Sequence, residues 1–207
     1  DSYSPKDLRN GIFKSLYVKG KNVVINDIYL SGIELQTLCD FNYIKYADKE
    51  ITFVEDMPMS FTFEISQSAI NKTMQHQKYQ KVINDFNKLM ASHGAGIKVA
   101  STKVAVKANK FYYIIGFEFP FIRQEQKIVL ESDLNAKNGK ISLSNTKLVS
   151  GHMALDLKKA DFIMNYLNPL DFSVRILDKV NANVNVKNIA IKNNIIHAEG
   201  IMVLPKD

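Results

Sequence analysis

Arginine is scarce in this chain, occurring only at positions 9, 123 and 175, so the formal charge of +6 is carried almost wholly by lysine. No run of basic residues resembles a nuclear or nucleic-acid-binding cluster, and most of the lysines read as a solvated outer face. The basic balance still permits an anionic partner such as a phospholipid surface. Cysteine is represented by Cys39 alone, which excludes a disulfide within the chain. Beside Leu38 and Phe41, that thiol is expected to act as a small buried hydrophobe. No stretch approaches the roughly 20 apolar residues of a membrane-spanning helix.

Catalytic signatures are missing too. The four histidines, at positions 76, 93, 152 and 197, are far apart and have no partner at metal-ligand spacing. His76, between two glutamines, is expected to face solvent. There is no Gly-x-Ser-x-Gly elbow, no glycine loop to cradle a phosphate and no dinucleotide fingerprint. Glu55 and Asp56 read as a turn, while Glu131 and Asp133 alternate with Leu130 and Leu134 on the wet face of a strand. Hydrolytic carboxylates would need a shared cleft. The chain therefore reads as non-enzymatic, with no cofactor and no metal.

What is present is a globular composition. With 207 residues and a hydrophobic share of 46%, the chain reads as one domain over 1–207, able to bury roughly 70% of its unfolded surface. Its first sixty residues alternate apolar and polar. "KSLYVKGKNVVIN" and "DIYLSGIEL" predict two strands around Asn26–Asp27, and "CDFNYIKYA" and "KEITFVE" predict another pair turning at Asp48. "MPMSFTFEI" puts Met59, Phe61, Phe63 and Ile65 on one strand face. A long helix over residues 67–91 follows, with Ser66 as N-cap. Along it Ile70, Met74, Val82, Ile83, Phe86 and Met90 fall near helical spacing, and Gly94 and Gly96 end it.

The segment from Ile97 to Val149 predicts three or four successive strands, with Asn138–Gly139 suited to a type I′ hairpin turn. In "FYYIIGFEFPF" one face carries Phe111, Tyr113, Ile115, Phe117 and Phe119. Because the intervening positions are also largely apolar, both faces are expected to be buried, which argues against a stacking surface for nucleic acid. "KKADFIMNYLN" predicts a short helix that stops before Pro169, and a final hairpin turns at Asn193–Asn194. That hairpin echoes the first one: "VKGKNVVINDIYLSGI" and "VNVKNIAIKNNIIHAEGI" share a Lys-Asn pair, an apolar alternation and a late Gly-Ile. Either two hairpins converge under the same rules or they occupy related places in the sheet.

About ten strands would make a sheet nearly 50 Å wide, which one helix about 10 Å across cannot cover. The sheet must fill itself, curl round the helix, or curl and leave a lined groove. Seven methionines add flexible side chains that suit adaptable binding surfaces.

The order of hairpins, then "FEISQSAINKTM", a meander with "NAKNGKISLSNTKLVSG", "ADFIMNYLNPLDF" and the closing hairpin resembles the LmeA-like family of bacterial envelope proteins. These are phospholipid-binding proteins similar to tubular lipid-binding (TULIP) and BPI-like domains. The resemblance implies an α+β fold in which a long, strongly curved antiparallel sheet wraps one long helix, accompanied by a second short helix, as a single lobe. It implies a lipid slot walled by Ile70, Met74, Val82, Ile83, Phe86 and Met90 on the helix and by Phe111, Tyr113, Ile115, Phe117 and Phe119 on the sheet. The partners it implies are a lipid or phospholipid and an anionic membrane surface, in an exported, periplasmic or envelope-associated protein. Lys72, Lys78, Lys81 and Lys88 would assist at phosphates. The alternative is a structural or protein-interaction module whose core is filled by its own side chains.

Overall fold

Asparagine shapes the hairpins. In the computed structural model, which describes residues 4–9, 12–40, 44–47, 50–94, 96–150, 157–178 and 182–206, four two-residue turns share one backbone solution. Asn26–Asp27 joins β1 (Tyr17–Ile25) to β2 (Ile28–Thr37), and Ala108–Asn109 joins β6 (Lys98–Lys107) to β7 (Lys110–Phe119). Asn138–Gly139 joins β8 (Ile122–Lys137) to β9 (Lys140–Ser150), and Asn193–Asn194 joins β10 (Asn183–Lys192) to β11 (Ile195–Leu204). All eight residues have positive φ, between 48° and 75°. That is the left-handed pair whose twist matches antiparallel strands, and Asn and Gly tolerate it best.

β3 (Ile44–Ala47) pairs with β4 (Glu50–Phe53) as expected, although the turn at Asp48 lies outside the described residues. β5 (Met57–Ser66) buries Met57, Met59, Phe61, Phe63 and Ile65 on one face. It is also the centre of a five-stranded antiparallel sheet ordered β1-β2-β5-β11-β10. The first and last hairpins thus flank one strand symmetrically. Gly32 and His197 face Glu64 from opposite sides, so the sequence echo corresponds to related places in one sheet.

The remaining long strands form a second antiparallel sheet, ordered β6-β7-β8-β9. The expected single, strongly curved sheet wrapped round one helix is therefore corrected to two sheets. The reason lies at the outer edge of β6. There the side chains of α2 (Gln67–Gln75) and α3 (Gln77–Ser92), not another strand, satisfy the backbone. The Asn71 amide donates to Val104 O and accepts from Val104 N, both at 2.9 Å. Asn87 does the same for Val99 at 2.9 and 2.8 Å, and Gln67 accepts from Val106 N. On its other side α2 touches β2, where the Thr73 hydroxyl accepts from Tyr29 N at 3.0 Å. The two sheets also meet directly, with Val186 N donating to Gly139 O at 2.9 Å.

The expected long helix is corrected as well, because it breaks at His76. At about 100° per residue, Tyr79 and Ile83 would lie roughly half a turn away from Ile70 on a continuous helix. Two apolar stripes on opposite faces cannot share one core. An extended backbone at His76 (φ −72°, ψ 147°) reorients the second helix and buries Ile70, Met74, Tyr79, Ile83 and Phe86 together.

The short helix predicted before Pro169 is α4 (Leu157–Tyr166), but the chain then enters α5 (Pro169–Asp178) instead of going to strand. Asn168 Oδ1 accepts from Leu170 N and Asp171 N, which makes Asn168 the cap and Pro169 the first helical residue. A short helix, α1 (Pro5–Arg9), precedes β1. Cys39 also departs from expectation: it is exposed, in a bend just past β2, with its Sγ 3.8 Å from Met57 Sδ at the start of β5. Among the described residues no helix is long and apolar enough to cross a membrane.

Candidate functional site

The residues expected to wall a slot are drawn together, mostly into a common hydrophobic core. Ile70, Met74, Ile83 and Phe86 from the helices are buried with Phe111, Tyr113, Ile115 and Phe117 from β7, while Met90 and Phe119 are half-buried against them. The helix and strand stripes are tied by a hydrogen bond of 2.7 Å between the Tyr79 and Tyr113 hydroxyls. With one proton each, Tyr79 donates to Leu167 O just past α4 and Tyr113 donates to the Tyr79 oxygen, its own oxygen standing 3.2 Å from Leu167 O, and the Tyr79 ring meets Phe172 edge-on. Burial pushes both phenols above their ordinary range, because a phenolate would lose its hydration there.

The second face of β7 is not buried as expected. Tyr112 and Ile114 are half-buried and Glu118 is exposed. On that face the cross-strand neighbours of Tyr112 and Ile114 are Glu131 and Val129, so all the aromatics of this strand except Tyr112 serve the inner face.

Val82 is different. It lies beside the buried stripe and lines an open cleft of about 560 Å³ with Asn26, Lys78, Lys81, Asp85, Phe172 and Arg175. The first half of α3 forms one wall, α5 the other, and the β1–β2 turn closes one end. Val82 and the ring of Phe172 give the cleft its apolar surface, while Lys78, Lys81 and Arg175 place cations around it and Asp85 adds one carboxylate.

Lys78 Nζ stands 2.8 Å from an Asp27 oxygen and 3.4 Å from Asn26 O, so the turn is pinned to α3. His76 Nε2 approaches the other Asp27 oxygen at 3.3 Å, and His76 Nδ1 accepts from Lys78 N. His76 is therefore a half-exposed joint between two helices and a turn, not the solvent-facing side chain expected. The Lys78 hydrogen bond holds the Asp27 carboxyl below the usual range, with the His76 and Lys78 charges adding to the effect. Arg175 Nε is 3.1 Å from Asp171, one helical turn back. Lys81 projects from an exposed position on the rim.

The other helix lysines have local roles: Lys72 lies over the Tyr29 ring at 5.8 Å, and Lys88 is 3.7 Å from Asp85. Among the described residues no three His, Cys, Asp or Glu side chains stand together as metal ligands. The cleft combines apolar contact with three cations and the Asp85 carboxylate, Lys78 and Arg175 being ion-paired to Asp27 and Asp171.

Phe172 and Arg175 escaped sequence reasoning because Leu170, Phe172 and Val174 alternate like a strand. The signals that could have found them are Asn168–Pro169, a cap followed by a first helical residue, and the Asp171–Arg175 pair at helical spacing. No protein-family model, curated protein or solved structure matches the chain.

Proposed function

We propose that this protein binds a lipid without catalysis, an anionic amphiphile such as a phospholipid, and that the α3–α5 cleft receives the junction between its charged head and apolar chain. The observation that carries the reading is the pairing of Val82 and Phe172 with a rim of Lys78, Lys81 and Arg175. The cleft volume of about 560 Å³ falls within the roughly 300–1,000 Å³ of small-molecule sites. A guanidinium offers a phosphate paired donors, and Asp171 already steadies Arg175 from behind. The resemblance to LmeA-like envelope proteins adds to this reading and extends it to an exported or envelope-associated setting. The closed packing around Phe111, Tyr113 and Ile115 favours a second reading, an interaction module whose core is filled by its own side chains.

Native mass spectrometry of freshly purified protein, followed by lipid extraction, separates the two. The expected result is a bound species of phospholipid mass. In a displacement assay with a fluorescent fatty acid, Val82→Glu and Arg175→Glu should each weaken binding about tenfold while the fold is retained, since the two positions are half-buried and exposed. If the wild type carries no lipid and binds none, the interaction module replaces the lipid reading.

A further inference from the structure

Four hairpin turns use Asn, Asp, Ala or Gly residues at positive φ, but the turn between β7 and β8 departs from that rule. It is Pro120–Phe121, flanked by the Phe119–Ile122 pair, and neither turn residue has positive φ. Proline cannot adopt the left-handed backbone that two-residue hairpins prefer, so this tip forgoes the turn chemistry used at the other four. The register shifts between Phe117 and Phe119 as the strands enter it. What the tip has in place of a favourable turn is apolar display: Phe121 is 99% exposed and Ile122 is 47% exposed. A fully exposed aromatic at a strand tip adds little to the packing of the fold, which marks it for contact outside the chain.

We infer that this tip is a membrane anchor whose partner is the interface of an anionic lipid bilayer. The shape favours a fluid surface over a protein pocket, because a two-residue turn is convex and brings no second apolar wall to complete a docking groove. A polar collar sits just behind it. Arg123 is exposed, Lys98 pairs with Glu118 at 3.4 Å, and Lys127 lies 3.6 Å from Glu125. These three cations and two carboxylates leave one net positive charge, enough to prefer anionic headgroups while insertion remains chiefly apolar. From Glu118 to Phe121 the chain advances at most roughly 10 Å, which matches the 5–10 Å depth at which peripheral apolar groups settle. The cleft lies along the first half of α3 and shares no residue with the tip, so the anchor stands or falls independently of the lipid reading.

The chain contains no tryptophan, so Phe121→Trp installs a single reporter at the tip. With vesicles of equal parts phosphatidylcholine and phosphatidylglycerol, its emission should shift to the blue and be quenched by brominated acyl chains. Phe121→Asp should lower partitioning of the otherwise intact protein onto the same vesicles by about tenfold, with an unchanged melting temperature because the side chain touches little. Three outcomes overturn the inference: a wild type that does not bind these vesicles, an unshifted tryptophan on vesicles that retain the protein, or Phe121→Asp partitioning like the wild type. A blue shift that grows with protein concentration in the absence of lipid assigns the tip to contact between copies, and overturns it too.

Discussion

Removing the amide of Asn71 should unfasten the edge of the second sheet. Its side chain makes two hydrogen bonds of 2.9 Å to the backbone of Val104, one donated and one accepted. Val104 itself is 0% exposed, so its backbone lies in a dry neighbourhood. Asn71→Ala would delete both bonds at once. Each contributes a net of about 1 kcal/mol, and a stranded buried backbone group costs about 1–3 kcal/mol. Asn71 is half-buried, so some water would reach the gap, and a total loss of about 3 kcal/mol is expected. For a chain of this size each kcal/mol moves Tm by roughly 2–4 °C, which places the fall near 9 °C.

The assay is urea and thermal unfolding by circular dichroism, with amide hydrogen exchange as the local readout. Val104 N–H should exchange faster in the variant, while Val106 N–H, held by Gln67 at 2.9 Å, should change less. An exposed strand edge also invites pairing between molecules, so the variant should aggregate at lower temperature than the wild type. A stability loss below about 0.5 kcal/mol with unchanged Val104 exchange would show that the amide clasp does not hold the edge, and the account of why the sheet ends at β6 would fail.

Two further predictions concern the core. Asn168→Ala should cost about 3 kcal/mol in urea unfolding, because it removes the α5 cap, worth about 1 kcal/mol, and also strands Ile141 O, to which Asn168 donates at 2.8 Å; Asn168→Asp should recover only the cap. For Tyr79 and Tyr113 the folded phenols titrate above their unfolded value of about 10. Their contribution is therefore complete below pH 10 and is lost as pH rises through the interval between the unfolded and folded values. Tyrosinate absorbance should show two residues ionising only with unfolding, and a Tyr79→Phe, Tyr113→Phe double variant should flatten the alkaline slope of stability.

Local chemistry in the sequence was sufficient for most of the long strands and for three of their turns, but not for the turns at Ala108–Asn109 and Pro120–Phe121. Asn26–Asp27, Asn138–Gly139 and Asn193–Asn194 specify a left-handed turn wherever they sit, and the period of two in Met57–Ile65 announces a buried strand face in any context. The buried set Ile70, Met74, Ile83, Phe86, Phe111, Tyr113, Ile115 and Phe117 was legible for the same reason, since periodicity identifies the face that avoids water. Tertiary structure decided how those faces were shared. Whether β6 would pair with another strand depended on Asn71 and Asn87, whose amides meet the backbone of Val104 and Val99, 33 and 12 residues further along the chain. The break at His76 depended on two apolar stripes, each helical in itself, lying half a turn out of phase. The cleft required Val82, Arg175 and the Asn26 turn to be brought together by packing, because no sequence spacing relates groups on α3, α5 and a hairpin whose separation is set only by how those elements rest on one another.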